Sequence, residues 1–68
     1  MKKYVVKIDG GSLPSYLSGT YEKSRDLRFI QKFSKISASG LVAHTRSAFP
    51  CHDVTVVTFD SAVKDICG

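Results

Sequence analysis

The stretch that decides the fold is an alternating run near the middle of the chain, Leu27-Arg28-Phe29-Ile30-Gln31-Lys32-Phe33. In a β-strand, successive side chains point to opposite faces of the sheet. A strand here would place Leu27, Phe29 and Phe33 on one face. Its two cations, Arg28 and Lys32, would lie on the other. A helix with Phe29 and Phe33 four residues apart is the alternative, but aromatic and β-branched residues favour the strand.

The first strand of the predicted sheet spans residues 3 to 8 and alternates in the same way. One face would carry the apolar residues Tyr4, Val6 and Ile8. The opposite face would carry Lys3, Val5 and Lys7. If this strand and the run from Leu27 share a sheet, four cations crowd one surface.

Turn residues separate these strands from an irregular second strand. Asp9-Gly10-Gly11 has the chemistry of a tight turn and predicts a hairpin. It lacks the lysine and the following helix that a phosphate-binding loop requires. Tyr16-Leu17 and Thr20-Tyr21 would form the second strand, with a bulge around Gly19.

Beyond residue 36 the period becomes helical, and then returns to that of a strand. One arc of a helix beginning at the N-cap Ser37 would carry Ala38, Leu41, Val42, Thr45, Ala48 and Phe49. Pro50 would end this helix. Residues 53–59 are rich in β-branched side chains and predict a strand at the centre of the sheet. Asp60-Ser61 would cap a last short helical turn.

These elements predict an α+β fold in one domain covering residues 1–68. The order is β-β-β-α-β, a small antiparallel sheet of about four strands. A single amphipathic helix would cover one face and leave the other open. A hydrophobic fraction of 43% with 24% charged residues is typical of an ordered globular chain.

Charge and segment lengths narrow the classes of partner. Ten Lys and Arg oppose six Asp and Glu, which gives a formal net charge of +4 and favours anionic partners. No segment has the apolar length of a membrane span or of a secretory signal. We therefore expect a cytoplasmic protein without membrane contact, and its state as monomer or dimer stays open.

Catalytic and metal sites have little support in the sequence. His44, Cys51, His52 and Cys67 supply four zinc-type ligands, but the adjacent Cys51 and His52 do not match the usual spacing. Cys51-His52-Asp53 contains the residue types of a catalytic triad, yet consecutive residues do not fold onto one another. We expect no enzyme activity, no cofactor and no metal. Whether Cys51 and Cys67 form a disulfide stays open, although cytosolic thiols are normally reduced.

The basic residues form the candidate site. Cations from the first and third predicted strands would surround exposed apolar side chains, an arrangement typical of an interface. The predicted contact residues are Lys3, Lys7, Arg28, Ile30, Gln31, Lys32 and Lys35. Few aromatic residues lie among them, which favours contact with a protein or a phosphate backbone over base stacking.

The opening Met-Lys-Lys-Tyr-Val-Val-Lys-Ile, the single predicted helix and the lack of a catalytic motif resemble small phage-encoded inhibitors, especially the anti-CRISPR proteins. This resemblance covers size and layout and carries no residue roles. It implies a non-enzymatic inhibitor in the host cytoplasm that binds a CRISPR surveillance complex and blocks its access to target DNA. Non-specific DNA contact is a further expectation. The alternative is a small basic regulator that binds nucleic acid directly.

Overall fold

The computed structural model describes residues 2–19 and 22–68, and within them the chain forms four strands and two helices. The elements are β1 (Tyr4–Asp9), β2 (Ser15–Gly19), β3 (Glu22–Ser24), α1 (Lys35–Ala48), β4 (Asp53–Thr58) and α2 (Phe59–Cys67). The strands pair antiparallel in the order β3-β2-β1-β4. The predicted α+β class and the order β-β-β-α-β are confirmed, with α2 following.

The predicted hairpin and bulge are both present. β1 pairs with β2 through Lys7 opposite Tyr16 and Ile8 opposite Ser15. The pairing of β2 with β3 shifts between Leu17 and Gly19, where the bulge was expected. The part of the second strand predicted at residues 20 and 21 lies outside the described residues.

The prediction of a strand at residues 27–33 is wrong. The third strand is instead the short β3. The segment begins with a turn in which the backbone N–H groups of Phe29 and Ile30 donate to the carbonyl of Asp26, at 2.9 and 3.2 Å. This turn reverses the side-chain directions that a strand would give. Ile30 is 3% exposed whereas Phe29 is 60% exposed. The segment meets the sheet again at Phe33, which forms a bridge with Tyr4.

α1 packs its predicted apolar arc on one face of the sheet. It begins at Lys35, and its N-cap is Ser34 instead of the predicted Ser37. The Oγ of Ser34 accepts a hydrogen bond from the Ser37 N–H at 3.3 Å, which satisfies an otherwise unpaired donor. On the inner side, the buried core residues are Val6, Ile8, Leu17, Ala38 and Val54.

β4 lies at an edge of the sheet, so the prediction of a central position is wrong. It ends at Thr58, and Phe59 begins α2 instead of ending the strand. The hydroxyl of Thr58 accepts a hydrogen bond from the Ser61 N–H at 3.2 Å and caps the helix. α2 runs for nine residues, longer than the predicted turn.

The second face of the sheet is covered as well, which corrects the expectation that it would stay open. α2 and residues 27–30 pack there. The buried members of this cluster are Val5, Tyr16, Ile30 and Ala62, with Leu27, Val57, Phe59 and Ile66 partly buried around them. Both faces of the sheet therefore contribute to the core.

A group of three polar side chains, which we call the polar clamp, joins α2 to the sheet. The Tyr16 hydroxyl donates to Oδ2 of Asp65 at 2.9 Å, and Nη1 of Arg25 lies 3.2 Å from the same oxygen. Arg25 also donates to the carbonyl of Pro14. Burial and the hydrogen bond to Asp65 raise the pKa of Tyr16 to about 12. The hydrogen bond from Tyr16, with smaller contributions from Arg25 and Lys7, lowers the pKa of Asp65.

Candidate anion-binding surface

Ile30 was predicted to contact a partner, and the structure contradicts this. Its side chain is 3% exposed and lies in the α2-side core with Val5, Tyr16 and Ala62. Val5, expected beside it on the surface, is fully buried. The apolar residues of the predicted interface therefore stabilise the fold and are not available to a partner.

Arg28 and Lys7 lie in different surroundings from the other predicted contact cations. Arg28 is exposed, and its Nη2 lies 2.8 Å from Oδ2 of Asp26. Hydrogen bonds from the Arg28 side chain and backbone lower the pKa of Asp26 to about 2. Lys7 is half-buried and acts electrostatically on Asp65 of the polar clamp. The charge of Arg28 is therefore partly neutralised by Asp26, whereas Lys7 is set apart from the exposed lysines by its partial burial.

Gln31 is exposed but lies beside the second strand. Its backbone N–H donates to the carbonyl of Leu17 at 3.1 Å, which anchors the chain after the turn. The side chain of Gln31 forms no hydrogen bond to another part of residues 2–19 and 22–68. The side chain therefore remains available for contact, and only the backbone of Gln31 is held by the sheet.

Lys3 and Lys32 are brought together by the bridge between Tyr4 and Phe33. Tyr4 and Phe33 exchange two backbone hydrogen bonds, each 2.8 Å long, and both contact the α1-side core. Their chain neighbours Lys3 and Lys32 therefore point to the α2 side of the sheet. As diagonal neighbours across an antiparallel pair, their Cα atoms are expected about 7–8 Å apart. Lys35 lies two residues beyond Phe33 as the first residue of α1.

Phe59 lies between these lysines at the start of α2. Its backbone N–H donates to the carbonyl of Lys3 at 2.8 Å. Nζ of Lys32 lies 4.7 Å from the centre of its ring, within the range of a cation–π contact. A cleft of about 480 Å³ opens beside the ring. It is lined by Lys2, Lys3, Thr58, Phe59 and Asp60. We call the surface formed by Lys2, Lys3, Lys32 and Lys35 the basic end.

The lysines of the basic end have no carboxylate partner among the described residues. The salt bridges within residues 2–19 and 22–68 join Arg25 to Asp65 and Arg28 to Asp26. All members of the basic end are exposed. Asp60 lines the same cleft and offsets part of the charge. Both α1 and α2 begin here, and the positive ends of their dipoles add to the potential of the lysines.

The opposite end of β1 is acidic. Asp9 and Asp53 lie directly opposite each other as the last described pair of the β1–β4 ladder. Like charges at such positions repel, which is a local cost to stability. We call this pair the acidic end. Two cations lie close to this pair and offset part of its charge, Lys23 beside His52 and Arg46 beside the Val54 carbonyl.

Lys2 and Phe59 belong to the surface but were absent from the sequence prediction. Lys2 is adjacent to Lys3, so a run of basic residues was a signal for it. Phe59 was predicted to end a strand. Instead it begins α2 and lies between the lysines, and the sequence has no periodic signal for this change of direction. Only the tertiary pairing of Phe59 with Lys3 identifies it.

The cysteine and histidine residues do not converge. Cys51 and Cys67 are both exposed and unbonded, and no group of three metal-ligating side chains is present among the described residues. Nε2 of His52 lies 3.3 Å from Nζ of Lys23. Nδ1 of His52 is buried without a hydrogen-bond partner. His44 lies on the exposed side of α1.

Neither a membrane-spanning helix in the described residues nor similarity to known proteins indicates what the protein does. The described part of the chain contains no helix that is both long and apolar enough to cross a bilayer. The basic end is therefore the feature on which a function can be proposed. No protein-family model, curated protein or solved structure matches this chain.

Proposed function

We propose that this protein is a non-enzymatic inhibitor that binds a host nucleoprotein effector, a CRISPR surveillance complex, through the basic end and blocks its access to target DNA. The observation that carries the proposal is the group of exposed lysines without carboxylate partners at one end of the sheet. The contact surface is an end of the molecule, because both sheet faces are filled by α1 and α2.

The chemistry of the basic end suits phosphate oxygens. Lysine presents a compact point charge on a flexible stem and binds phosphate without demanding a fixed geometry. Each lysine that neutralises a phosphate releases a condensed counterion, so binding weakens as salt rises. A surface of lysines with one half-buried ring supports contact with a nucleic-acid backbone and does not support base readout.

A nucleoprotein effector presents such phosphates along its guide RNA and in the channel that receives DNA. Occupying that channel with a small cationic protein would exclude the target strand without any chemical step. The choice of a CRISPR effector over other nucleoproteins rests on the resemblance in size and layout to anti-CRISPR proteins. The charge of the basic end supports only the broader class of polyanionic partner.

The test is a competition assay with a purified, guide-loaded CRISPR surveillance complex and labelled target DNA. Wild-type protein should reduce binding of target DNA to the complex. The concentration needed for half-maximal inhibition should be at least about tenfold higher for the double variant Lys3→Glu/Lys32→Glu. Lys23→Glu is the matched control. Lys23 is exposed and contacts Phe49 and His52 near the other end of α1, so its replacement should leave inhibition unchanged.

Two results would contradict the proposal. Unchanged target binding at saturating wild-type protein would exclude inhibition of that effector. Equal loss of inhibition in Lys23→Glu and in the double variant would exclude the basic end as the contact surface. Binding of free duplex DNA without any effect on the complex would instead support the alternative function, a small nucleic-acid-binding regulator.

A further inference from the structure

Phe29 is an aromatic ring that the fold leaves in solvent. Its side chain is 60% exposed. Its neighbours in the same turn, Leu27 and Ile30, instead pack into the α2-side core. A single exposed apolar side chain needs no partner by itself, so the surroundings of this ring decide what it can bind.

The backbone around Phe29 is fixed by hydrogen bonds on both sides. The N–H groups of Phe29 and Ile30 donate to the carbonyl of Asp26, at 2.9 and 3.2 Å. The N–H of Gln31 donates to the carbonyl of Leu17 at 3.1 Å. The ring therefore stands on a turn that is anchored to β2. A group held in this way loses little backbone freedom when a ligand binds.

Arg28 lies beside the ring in a fixed orientation. Its Cζ atom is 5.5 Å from the centre of the Phe29 ring. Asp26 accepts two hydrogen bonds from the guanidinium, from Nε at 3.1 Å and from Nη2 at 2.8 Å. A guanidinium has five N–H donors, and the other three have no hydrogen-bond partner within residues 2–19 and 22–68. The Arg28 side chain is 81% exposed, so these donors are open to a ligand.

The two side chains match two parts of an unpaired nucleotide. Every base has a flat face that stacks on an aromatic ring, whatever the sequence. A planar guanidinium matches the oxygens of a phosphate group. Asp26 neutralises part of the Arg28 charge, but it also holds the guanidinium in one direction. The pair therefore combines a stacking surface with directional donors for phosphate.

The exposed side chains near Phe29 favour a nucleic acid over a protein as the partner. The core of a protein interface is depleted in charge and packs apolar side chains together. Here the exposed positions within residues 28–32 are Arg28, Phe29, Gln31 and Lys32, so one ring stands among polar and cationic groups. Lys32 belongs to the basic end, and its Cα lies at most about 11 Å from that of Phe29, because only three residue steps separate them. A strand whose phosphates lie on the basic end would therefore bring a base to Phe29.

We infer that Phe29 and Arg28 form a binding site for an unpaired nucleotide of single-stranded RNA or DNA. The base stacks on the Phe29 ring, and a neighbouring phosphate accepts hydrogen bonds from Arg28. Bases within a duplex have no free face, so the site selects single strands over duplexes and does not select one base over another. It adds a base contact to the phosphate contacts of the basic end. It does not depend on which complex the basic end binds.

Fluorescence anisotropy with labelled single strands tests the site. Wild-type protein should bind a short base-bearing oligonucleotide at least about fivefold more tightly than an abasic one of the same length, since both carry the same phosphates. Phe29→Ala should remove this difference by weakening the base-bearing complex alone. Leu13→Ala is the matched control, because Leu13 is 61% exposed and lies in the hairpin that follows Asp9 of the acidic end. RNA and DNA versions of the oligonucleotides show which kind of strand is preferred.

Two further variants test the separate roles of the ring and the guanidinium. The chain contains no tryptophan, so Phe29→Trp introduces a single indole whose emission reports on this position. Base-bearing strands should quench that emission, whereas abasic strands should not. Arg28→Lys keeps a positive charge but loses the planar donors. It should weaken the binding of base-bearing and abasic strands by a similar factor.

Equal affinity of the wild-type protein for base-bearing and abasic strands would overturn the inference. So would equal losses in Phe29→Ala and Leu13→Ala. Loss of effector inhibition in Phe29→Ala with unchanged oligonucleotide affinity would also overturn it and would assign the ring to a protein contact.

The basic end is tested separately from this site. Lys3→Glu/Lys32→Glu should weaken the binding of both oligonucleotides and preserve the preference for bases, because it removes phosphate contacts and leaves Phe29 in place. A loss of that preference in the double variant would contradict a separate stacking site. Failure of the protein to inhibit a CRISPR surveillance complex would leave the preference for bases unchanged.

Discussion

The two faces of the sheet are built in different ways. On one face, the 14-residue α1 lays a continuous apolar arc across the strands. On the other, a turn, the segment after it and the nine-residue α2 share the covering, and the polar clamp holds α2 in place. A single regular element serves the first face, whereas several irregular pieces serve the second.

The difference lies in how far along the chain the decisive contacts reach. Most of the α1 arc is set by the helical repeat, which is a local property of the sequence. The clamp joins Tyr16 to Asp65 across 49 positions and Arg25 to Asp65 across 40. Such long-range contacts produce no periodic pattern in the sequence. Substitutions on the α2 face therefore distinguish the observed fold from the fold that the sequence pattern predicts.

The largest effect is expected at Ile30. Ile30→Ala should lower the free energy of unfolding by about 2–5 kcal/mol, because it removes a buried side chain and leaves a cavity beside Val5 and Tyr16. Phe29→Ala should have a much smaller effect, since Phe29 is 60% exposed. Urea denaturation followed by circular dichroism measures both.

A strand at residues 27–33 would reverse this order, with Phe29 buried and Ile30 exposed. A larger loss in Phe29→Ala than in Ile30→Ala would therefore contradict the observed α2 face. If Ile30→Ala does not fold, Ile30→Val keeps the comparison measurable, with an expected loss of about 0.5–1.5 kcal/mol.

Much of the α1 face was predictable from the sequence. The strand periodicity of residues 3–8 and 53–58, the hairpin and the inner arc of α1 are all present. The alternation at residues 27–33 misled because a period of two places Leu27 with Phe29 and away from Ile30, whereas the turn brings Leu27 and Ile30 into the same core cluster and leaves Phe29 exposed. The backbone hydrogen bonds of the turn are accepted by Asp26, which lies just before the alternating run.

The basic end was predictable only in part. Lys3, Lys32 and Lys35 were identified from charge, and the bridge between Tyr4 and Phe33 brings Lys3 and Lys32 together. Arg28 and Lys7 were grouped with them because the sequence alone does not show that Arg28 pairs with Asp26 or that Lys7 is partly buried. The tertiary bridge between Tyr4 and Phe33 decides which cations meet, and a bridge of one residue pair has no sequence signature.

The polar clamp should give the next largest effect. Tyr16→Phe removes the hydroxyl that donates to Asp65 and should lower the free energy of unfolding by about 1–1.5 kcal/mol at neutral pH. The aromatic ring remains, so the α2-side core keeps its packing. Arg25→Lys is a companion variant, because it keeps a charge beside Asp65 but loses the bond geometry to the Pro14 carbonyl.

The same substitution has a signature at alkaline pH. The neutral phenol is favoured in the folded state, so the pKa of Tyr16 rises from 10.0 to about 12 on folding. Its contribution to stability is complete below pH 10 and is lost as pH rises through 10 to 12. The stability advantage of wild type over Tyr16→Phe should therefore shrink across that range. An advantage that stays constant would show that the Tyr16 hydroxyl is not held in the clamp.

The smallest effect is expected on the outer side of α1, where Gly40 lies in the helix interior with no atom within 4 Å of the position that a Cβ would take. Gly40→Ala should raise the free energy of unfolding by about 0.5–1 kcal/mol, because alanine loses less backbone entropy in a helix. Gly10→Ala is the matched contrast, since its Cβ would lie 2.8 Å from Cδ2 of His52 and 3.0 Å from its Cα. Thermal unfolding of the two variants should move in opposite directions. A gain at Gly40 would show that the regular α1 face can be strengthened through the helix alone, with no change on the clamped α2 face.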